Sequence, residues 1–204
     1  VIRKVVVVGG GTSGWISAAL LAKVLGKAID ITLVESDDIG TIGVGEATIP
    51  PILSLNKALG LDEADFMRQT QATIKLGIQF ENWSSAGSAY MHAFGTIGKD
   101  FAFCPFQHFW LRAFREGLSQ DLWDYSLNLQ AARQGKFAFV KQHQDMPALT
   151  YAYHFDAGLC AKYLRAESER MGVNRVEGMI GQVRLHPETG HLESLQLKDG
   201  REVR

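Results

Sequence analysis

The hydrophobic and polar positions at the start of the chain predict a strand, a helix and a second strand. Residues 5 to 8 form a continuous β-branched run, which is typical of a strand buried on both faces of a parallel sheet. Residues 15 to 25 are rich in helix formers and precede Gly26, a natural helix end. Residues 29 to 34 form the second strand, which ends at Glu35. This order is one βαβ unit, for which we expect a right-handed crossover.

A strict alternation of apolar and polar residues from Thr73 to Glu81 predicts a further strand. One face of this strand would carry four apolar side chains, those of Ile74, Leu76, Ile78 and Phe80. Lys75 would then point away from the apolar face. By this pattern alone, a solvated lysine is the more typical interpretation.

Residues 84 to 147 follow no simple period and are rich in aromatic side chains. We interpret them as an insertion that lines a pocket, although aromatic clusters of mixed spacing also form ordinary core. After them, Asp156 is a typical helix N-cap, and its helix should end near Gly172. Strands separated by turn residues follow over residues 179 to 185, 192 to 197 and from 202, which predicts a β-meander.

The composition narrows the possible classes of protein. The 204 residues, 46% of them hydrophobic, can bury the core of about one domain, and a net charge of -1 gives no electrostatic reason to expect nucleic acid or a membrane surface as a partner. Cys104 and Cys160 form no CxxC pair, so we expect no disulfide framework, no metal site and a cytoplasmic location. No apolar run is long enough for a signal peptide or a membrane span. Because the chain lacks an initial Met and stops within a strand-like pattern, we expect it to be a fragment.

The clearest chemical motif is Gly9-Gly10-Gly11-Thr12-Ser13-Gly14, a G-x-G-x-x-G between the first strand and the first helix. Glycines permit a tight turn and the close approach of a pyrophosphate, and the helix N-terminus offers N–H groups to that anion. Glu35 follows Gly14 by 21 residues, where a carboxylate can accept a hydrogen bond from a ribose hydroxyl. A turn that served packing alone would explain the glycines but not Glu35. The sequence therefore predicts a dinucleotide site, and the meander favours FAD over NAD(P).

A second glycine-containing segment, Gly43-Val-Gly-Glu-Ala-Thr-Ile-Pro50, has two interpretations that composition does not separate. It can be a plain loop that ends at the Pro50–Pro51 pair. It can also be a strap over a flavin, in which Gly45 and Ala47 permit close backbone approach.

Five segments occur in the order seen in the flavin-dependent tryptophan halogenases, which this sequence resembles over essentially its whole length. The segments are Gly9 to Trp15, Gly43 to Pro50, Ile74 to Trp83, His92 to Gly95 and Tyr153 to Ala157. The resemblance implies an α/β fold with a Rossmann-like FAD-binding portion, including the β-meander, over residues 1–83 and 150–204. Residues 84–149 would be an aromatic-rich insertion on the substrate side.

The resemblance also implies a reaction. A separate flavin reductase supplies reduced FAD, which reacts with oxygen and a halide, chloride or bromide, to give hypohalous acid. A lysine, which falls on Lys75 here, then presents the halogen to an electron-rich aromatic such as tryptophan or another indole. The ammonium could orient the acid by hydrogen bonding, or the neutral amine could form a haloamine, and partial burial would favour the second route. The halide site and the glutamate that works with the lysine are expected outside these 204 residues, and the family suggests a possible homodimer.

Site residues follow from the same matches. His92 and Phe94 fall on positions that line the aromatic substrate site, whereas His154 and Asp156 belong to a segment that we interpret as structural. The cofactor would be bound by residues of both glycine segments and of the second strand, namely Gly9, Gly10, Gly11, Thr12, Ser13, Gly14, Trp15, Glu35, Gly45, Glu46, Ala47 and Thr48.

Two other functions stay open from the residues. An FAD-dependent aromatic monooxygenase would insert oxygen itself, but such an enzyme has no evident need for Lys75 or for the segment from His92 to Gly95. A flavin-binding module without catalysis would need only the two glycine segments.

Overall fold

The computed structural model describes residues 2–40, 45–119, 121–139 and 147–204. The helices are α1 (Thr12–Leu25), α2 (Pro51–Leu59), α3 (Glu63–Thr70), α4 (Phe106–Arg115), α5 (Leu127–Arg133) and α6 (Ala157–Arg170). The strands are β1 (Lys4–Val8), β2 (Asp30–Glu35), β3 (Gly45–Ala47), β4 (Thr73–Lys75), β5 (Gly77–Glu81), β6 (Ala89–Ala93), β7 (Ala152–Asp156), β8 (Asn174–Glu177), β9 (Ile180–Leu185), β10 (Leu192–Leu197) and β11 (Glu202–Val203).

The chain divides into two compact units. The first consists of Val1–Glu46, Leu55–Ala72 and Phe155–Arg204, and the second of Ala47–Ser54 and Thr73–His154. The predicted functional division between an FAD-binding portion and a substrate-side insertion stays a prediction. None of the helices in the described ranges is both long and apolar enough to cross a membrane.

The first unit begins with the predicted βαβ unit. β1 and β2 pair in parallel, with Lys4 opposite Asp30 and Val8 opposite Val34, and α1 connects them. α1 ends where expected, because Gly26 has a positive φ of 53° and its N–H donates to the carbonyl of Ala22. β8 pairs in parallel with the other edge of β2 and completes a three-stranded sheet in the order β1-β2-β8.

The predicted meander is also present in the first unit. β9, β10 and β11 form an antiparallel sheet with β10 in the centre. Leu195 and Leu197 of β10 pack with Val34 of β2 in one buried cluster, so the meander shares a core with the parallel sheet. α6 packs on α1, and its N-cap is Asp156, whose carboxylate accepts from Leu159 N at 2.7 Å, as predicted.

The second unit contains two antiparallel pairings where the sequence predicted one continuous strand. β4 pairs with β7, with Lys75 opposite Ala152, whereas β5 pairs with β6, with Gly77 opposite Ala93. The prediction of a single strand from Thr73 to Glu81 was therefore wrong at Leu76, where the chain changes partner. Lys75 is only 6% exposed, so the solvated lysine that the alternation favours is not what the structure contains.

Candidate functional site

The glycine turn of the first unit joins β1 to α1. Gly9 has a φ of 105°, a conformation that favours glycine, and its N–H donates to the carbonyl of Val34 at 2.9 Å. A Cβ at Gly14 would overlap the carbonyl oxygen of Gly9, so α1 can approach the turn this closely only with glycine there. The first turn of α1 contains no acidic side chain, and no side chain caps its N-terminus. Its N–H groups are therefore available to an anion.

A cavity of about 720 Å³ opens beside this turn, within the first unit. Seven predicted cofactor residues line it: Gly9, Gly10, Gly11, Thr12, Trp15, Glu35 and Glu46. Ser13 and Gly14 do not line it. α6 forms the opposite wall through Ala157, Gly158, Ala161, Lys162 and Arg165, and Ile180 of β9 completes one end.

Glu35 lies at the end of β2 with its carboxylate above the backbone of Gly10. A Cβ at Gly10 would overlap Glu35 Oε2, so this glycine makes room for the carboxylate. Oε1 accepts from Arg175 Nε at 2.6 Å and lies 3.7 Å from Arg165 Nη1. Oε2 accepts from Trp15 Nε1 at 3.3 Å. The negative charge of Glu35 is thus held in place by three side chains.

The cavity fits a dinucleotide by its own geometry. It places a glycine turn, a helix N-terminus without a side-chain cap and a carboxylate along one wall. A pyrophosphate suits the first two groups, and a ribose hydroxyl suits the third. Small residues on the facing wall, Ala157, Gly158 and Ala161, leave the space open.

The second glycine segment lies only partly within the described residues. Gly43 and Val44 fall outside them, whereas Gly45, Glu46 and Ala47 form β3. Glu46 lines the cavity. Burial, and to a smaller extent the charge of Glu46, raises the pKa of the Cys160 thiol to about 12. Thr48, in the second unit, donates through N at 2.9 Å and Oγ1 at 3.0 Å to the carbonyl of Tyr153. The Thr48 hydroxyl therefore anchors this segment to β7.

Lys75 lines a separate cavity of about 760 Å³ within the second unit. Although Lys75 is buried, its Nζ makes no hydrogen bond or ion pair with any described residue. The closest recorded interaction is with the ring of Phe94, whose centroid lies 5.6 Å from Nζ, within cation–π range. Burial lowers the pKa of Lys75 from its ordinary value.

The change of strand partner at Leu76 positions this lysine. The carbonyl of Leu76 accepts from Phe94 N at 2.8 Å and from Asn128 Nδ2 at 3.2 Å. Asn128 is buried and also bonds the backbone of Thr150 through both ends of its amide. A Cβ at Gly77 would press on Met91 and the backbone of Ala93. A buried amide and a glycine thus hold the chain where β4 ends and β5 begins.

The structure brings Phe94 to Lys75 but not His92. Phe94 is buried beside the ammonium. His92 is exposed and pairs with Ile78 on β5. Gln79 and Met91, which pair with each other, both line the cavity. His92 does not line the cavity, and its assignment to a substrate site stays a prediction.

The sequence interpretation did not include His154 among the site residues. His154 lines the Lys75 cavity, and its pKa is lowered mainly by burial and further by the charge of Lys75. Its position opposite Thr73 on β4 follows from the β4–β7 register, which no local pattern shows. Arg133, Lys136 and Phe137, at and after the end of α5, also line this cavity.

Arg165 and Arg175 were missed in the first unit for a similar reason. Arg175 lies on β8, and Arg165 lies on α6, both more than 100 residues from Glu35 in the chain. A signal was present in the sequence, because an arginine within the short strand-like run Val173–Val176 is unusual unless it is paired. Its partner, however, depends on the pairing of β8 with β2.

Comparison with known proteins adds a family relationship. Residues 4–204 match the family model described as tryptophan halogenase. The chain is 34% identical to tryptophan 7-halogenase RebH of Lentzea aerocolonigenes, over 98% of this chain and 40% of that protein. It is 38% identical to 7-chloro-L-tryptophan 6-halogenase KtzR of Kutzneria sp. (strain 744), over 88% of this chain and 39% of that protein.

Solved structures give the same result. Xcc4156, a flavin-dependent halogenase from Xanthomonas campestris, is 49% identical with a TM-score of 0.90, and the match covers 100% of this chain and 40% of that one. BrvH, a flavin-dependent halogenase from Brevundimonas sp. BAL3, is 44% identical with a TM-score of 0.87, over 100% of this chain and 41% of that one. The chain thus spans about two fifths of the length of these relatives. The comparisons confirm the predicted resemblance and the predicted α/β, Rossmann-like fold class.

Proposed function

This chain belongs to the tryptophan halogenase family, and we propose that it supplies the FAD cavity and the catalytic lysine of a flavin-dependent halogenase. The substrate class would be an electron-rich aromatic such as tryptophan or another indole, and the halide would be chloride or bromide. The observation that carries the proposal is Lys75, a buried lysine without a hydrogen-bonded or ionic partner among the described residues, which lines a cavity of about 760 Å³.

The first cavity supports FAD as the cofactor. The N–H groups at the start of α1 would hold the pyrophosphate, and Glu35 would accept from the ribose. Reduced FAD would supply two electrons to oxygen, and the activated oxygen would take two further electrons from the halide. In the net reaction, reduced FAD, oxygen, a halide ion, a proton and the arene give oxidised FAD, the aryl halide and two molecules of water.

The second cavity supports the role of Lys75. An ammonium at this position would donate a hydrogen bond to hypohalous acid and orient the halogen toward the ring. Since burial lowers the pKa of Lys75, the neutral amine is more accessible than it is for a lysine in water, which also favours a haloamine. In both routes Nζ must be able to contact the halogen species, and no carboxylate of the described residues pairs with it.

The aromatic substrate would lie against the apolar part of the same cavity. Tyr90, Met91, Leu129 and Phe137 line it, and Phe94 lies against the ammonium. Stacking on aromatic rings is the usual way in which proteins bind an indole. We propose, as the family resemblance implies, that His92 contributes to the aromatic substrate site, although it does not line this cavity.

The activity test uses the complete gene product with FAD, a flavin reductase, NADH, oxygen, bromide or chloride, and a panel of indoles. We expect halogenated products by mass spectrometry. Hydroxylated products throughout the panel would indicate an aromatic monooxygenase instead. Flavin binding without turnover of any substrate would favour a non-catalytic module.

The remaining assignments are also proposals. A separate reductase would deliver reduced FAD, as the family implies, and the protein would work in the cytoplasm as a homodimer. Neither nucleic acid nor a membrane surface is expected as a partner, because the net charge is -1.

A further inference from the structure

The charges around Glu35 form a closed network in the first unit. Arg175 donates through Nε to Glu35 Oε1 at 2.6 Å and through Nη2 to Asp37 Oδ1 at 2.7 Å. The side chain of Arg175 is 13% exposed, as is that of Glu35, whereas that of Asp37 is 70% exposed. One guanidinium therefore bridges a carboxylate that is as little exposed as itself and a solvated one.

The sheet register explains why these groups meet. β8 pairs with β2 so that Arg175 lies opposite Leu33 and Glu177 opposite Glu35. Positions two residues apart on a strand share a face, so the side chain of Arg175 lies on the same face of the sheet as that of Glu35. The guanidinium is planar and presents its donors in a fixed fork, which suits two carboxylates at a defined separation.

The network also stabilises the charge of Arg175. Burial is the largest single influence and lowers the pKa of Arg175, but the hydrogen bonds to Glu35 and Asp37 and the charges of these two carboxylates together outweigh it, so the pKa is raised. The other arginine near Glu35 is a weaker partner. Arg165 lies 3.7 Å from Oε1, is 35% exposed and also pairs with Glu169 at 3.3 Å.

The carboxylate keeps capacity for a ligand. Each carboxylate oxygen can accept two hydrogen bonds, and Oε2 accepts one from Trp15 Nε1 at the long distance of 3.3 Å. Arg175 holds the opposite oxygen, so it fixes the orientation of the carboxylate without occupying the remaining lone pairs of Oε2. A ribose diol that approaches over Gly10 could donate a hydrogen bond to Glu35 Oε2 without any movement of the carboxylate.

We propose that Arg175 is a positioning residue that presents Glu35 to the ribose of the adenosine half of FAD, and so makes this protein select a dinucleotide over a mononucleotide flavin. This inference rests on the proposed function, because FAD is taken to occupy the cavity. Arg175 does not line that cavity and acts through Glu35. Its effect should therefore appear only for ligands that carry the adenosine half.

The test measures the dissociation constants of FAD, ADP and FMN for the complete protein by calorimetry. Arg175→Met should weaken FAD and ADP by about 10-fold to 100-fold, which follows from 1.4 kcal/mol for each factor of ten when a charge-assisted hydrogen bond is lost. FMN, which lacks the adenosine half, should change less than twofold. Arg175→Lys, which cannot bridge both carboxylates, should give an intermediate loss.

A matched control, a double variant and a substitute variant accompany Arg175→Met. Arg184→Met, an exposed arginine on β9 that bonds Gln196, is the matched control and should change none of the three constants. Glu35→Gln combined with Arg175→Met should lose little more affinity than either change alone, because both act on one contact. If Arg175→Met does not fold, Arg175→Lys, which keeps the positive charge, takes its place and should weaken FAD and ADP by about threefold without affecting FMN.

The outcomes separate two failures. Unchanged FAD affinity in folded Arg175→Met, or in Arg175→Lys where Arg175→Met fails to fold, would overturn the positioning role, and so would equal losses for FAD and FMN. A parent protein that binds none of the three ligands would instead contradict the proposed FAD cavity itself.

Discussion

The two cavities are nearly equal in volume, about 720 and 760 Å³, but they treat a buried charge in opposite ways. In the first, the carboxylate of Glu35 is held by Arg175, Arg165 and Trp15. In the second, the ammonium of Lys75 has an aromatic ring beside it and no hydrogen-bonded or ionic partner among the described residues. A charge held by several partners is suited to binding, because its geometry is fixed before the ligand arrives. A charge without such partners is suited to chemistry, because its proton can be shared with a reactant.

Removing the charge of Lys75 should have the largest effect. We expect Lys75→Met to lower halogenation about 10³-fold, the scale of a lost proton donor or acceptor, with FAD affinity unchanged. The same variant should raise the free energy of unfolding by about 1 kcal/mol, because an apolar side chain of similar length replaces a buried charge. Product formation by mass spectrometry and urea denaturation measure the two effects.

Lys57→Met, at an exposed position in the last turn of α2, is the matched control. It should change neither the rate of halogenation nor the free energy of unfolding measurably. Halogenation retained within tenfold in Lys75→Met would refute the assigned role of this lysine.

Displacing the carboxylate of Glu35 should have a smaller effect. In Gly10→Ala the new Cβ would occupy the position of Glu35 Oε2 and push the carboxylate from its partners. We expect a loss of about 2 kcal/mol in the free energy of unfolding, since a charged hydrogen bond is broken, together with weaker FAD binding. Thermal and urea denaturation would detect it.

Gly11→Ala provides the comparison within the same turn. A Cβ at Gly11 meets no atom within 4 Å, and Gly11 has the negative φ of an ordinary N-cap, so its stability should stay within about 1 kcal/mol of the parent. Equal losses in the two variants would show that the position of Glu35 does not explain the effect at Gly10.

The smallest predicted effect is a pH dependence of stability. The folded pKa of Lys75 lies below its ordinary value of 10.5, so the unfolded state binds more protons in the window between the two values. The free energy of unfolding contributed by this group therefore rises with pH across that window, by at most about 1.4 kcal/mol per pH unit. Below the folded pKa the cost of burying the charge is fully present.

Urea denaturation from pH 7 to pH 10 gives the free energy of unfolding of the parent and of Lys75→Met as a function of pH. The difference between the slopes of these two curves is the contribution of Lys75. Parallel curves would mean that burial of Lys75 does not lower its pKa.

Local patterns predicted the first unit well and the second unit poorly. The β-branched run of β1, the glycine turn and Asp156 as an N-cap depend on residues near one another in the chain, and the structure contains each. The break at Leu76 depends on Asn128, which lies 52 residues away, and the alternation from Thr73 to Glu81 contains no sign of it. The burial of Lys75 has the same origin. Only the family resemblance singled out this lysine, because alternation favoured a solvated one.

The partners of Glu35 show the same limit within the better predicted unit. Spacing identified Glu35 as the acidic residue after the glycine motif, but Arg175 is 140 residues away and reaches it only through the register of β8 on β2. Sequence patterns thus found the group that meets a ligand and missed the group that positions it.

The change of strand partner at Leu76 also bears on how such an enzyme can evolve. Lys75 is anchored through β4 to β7, whereas the hairpin of β5 and β6 that begins one residue later has its own pairing. Asn128 and Gly77 confine the junction to a single residue. In the proposed enzyme, substitutions along the hairpin would therefore alter which ring is accepted, while Nζ of Lys75 would keep its position.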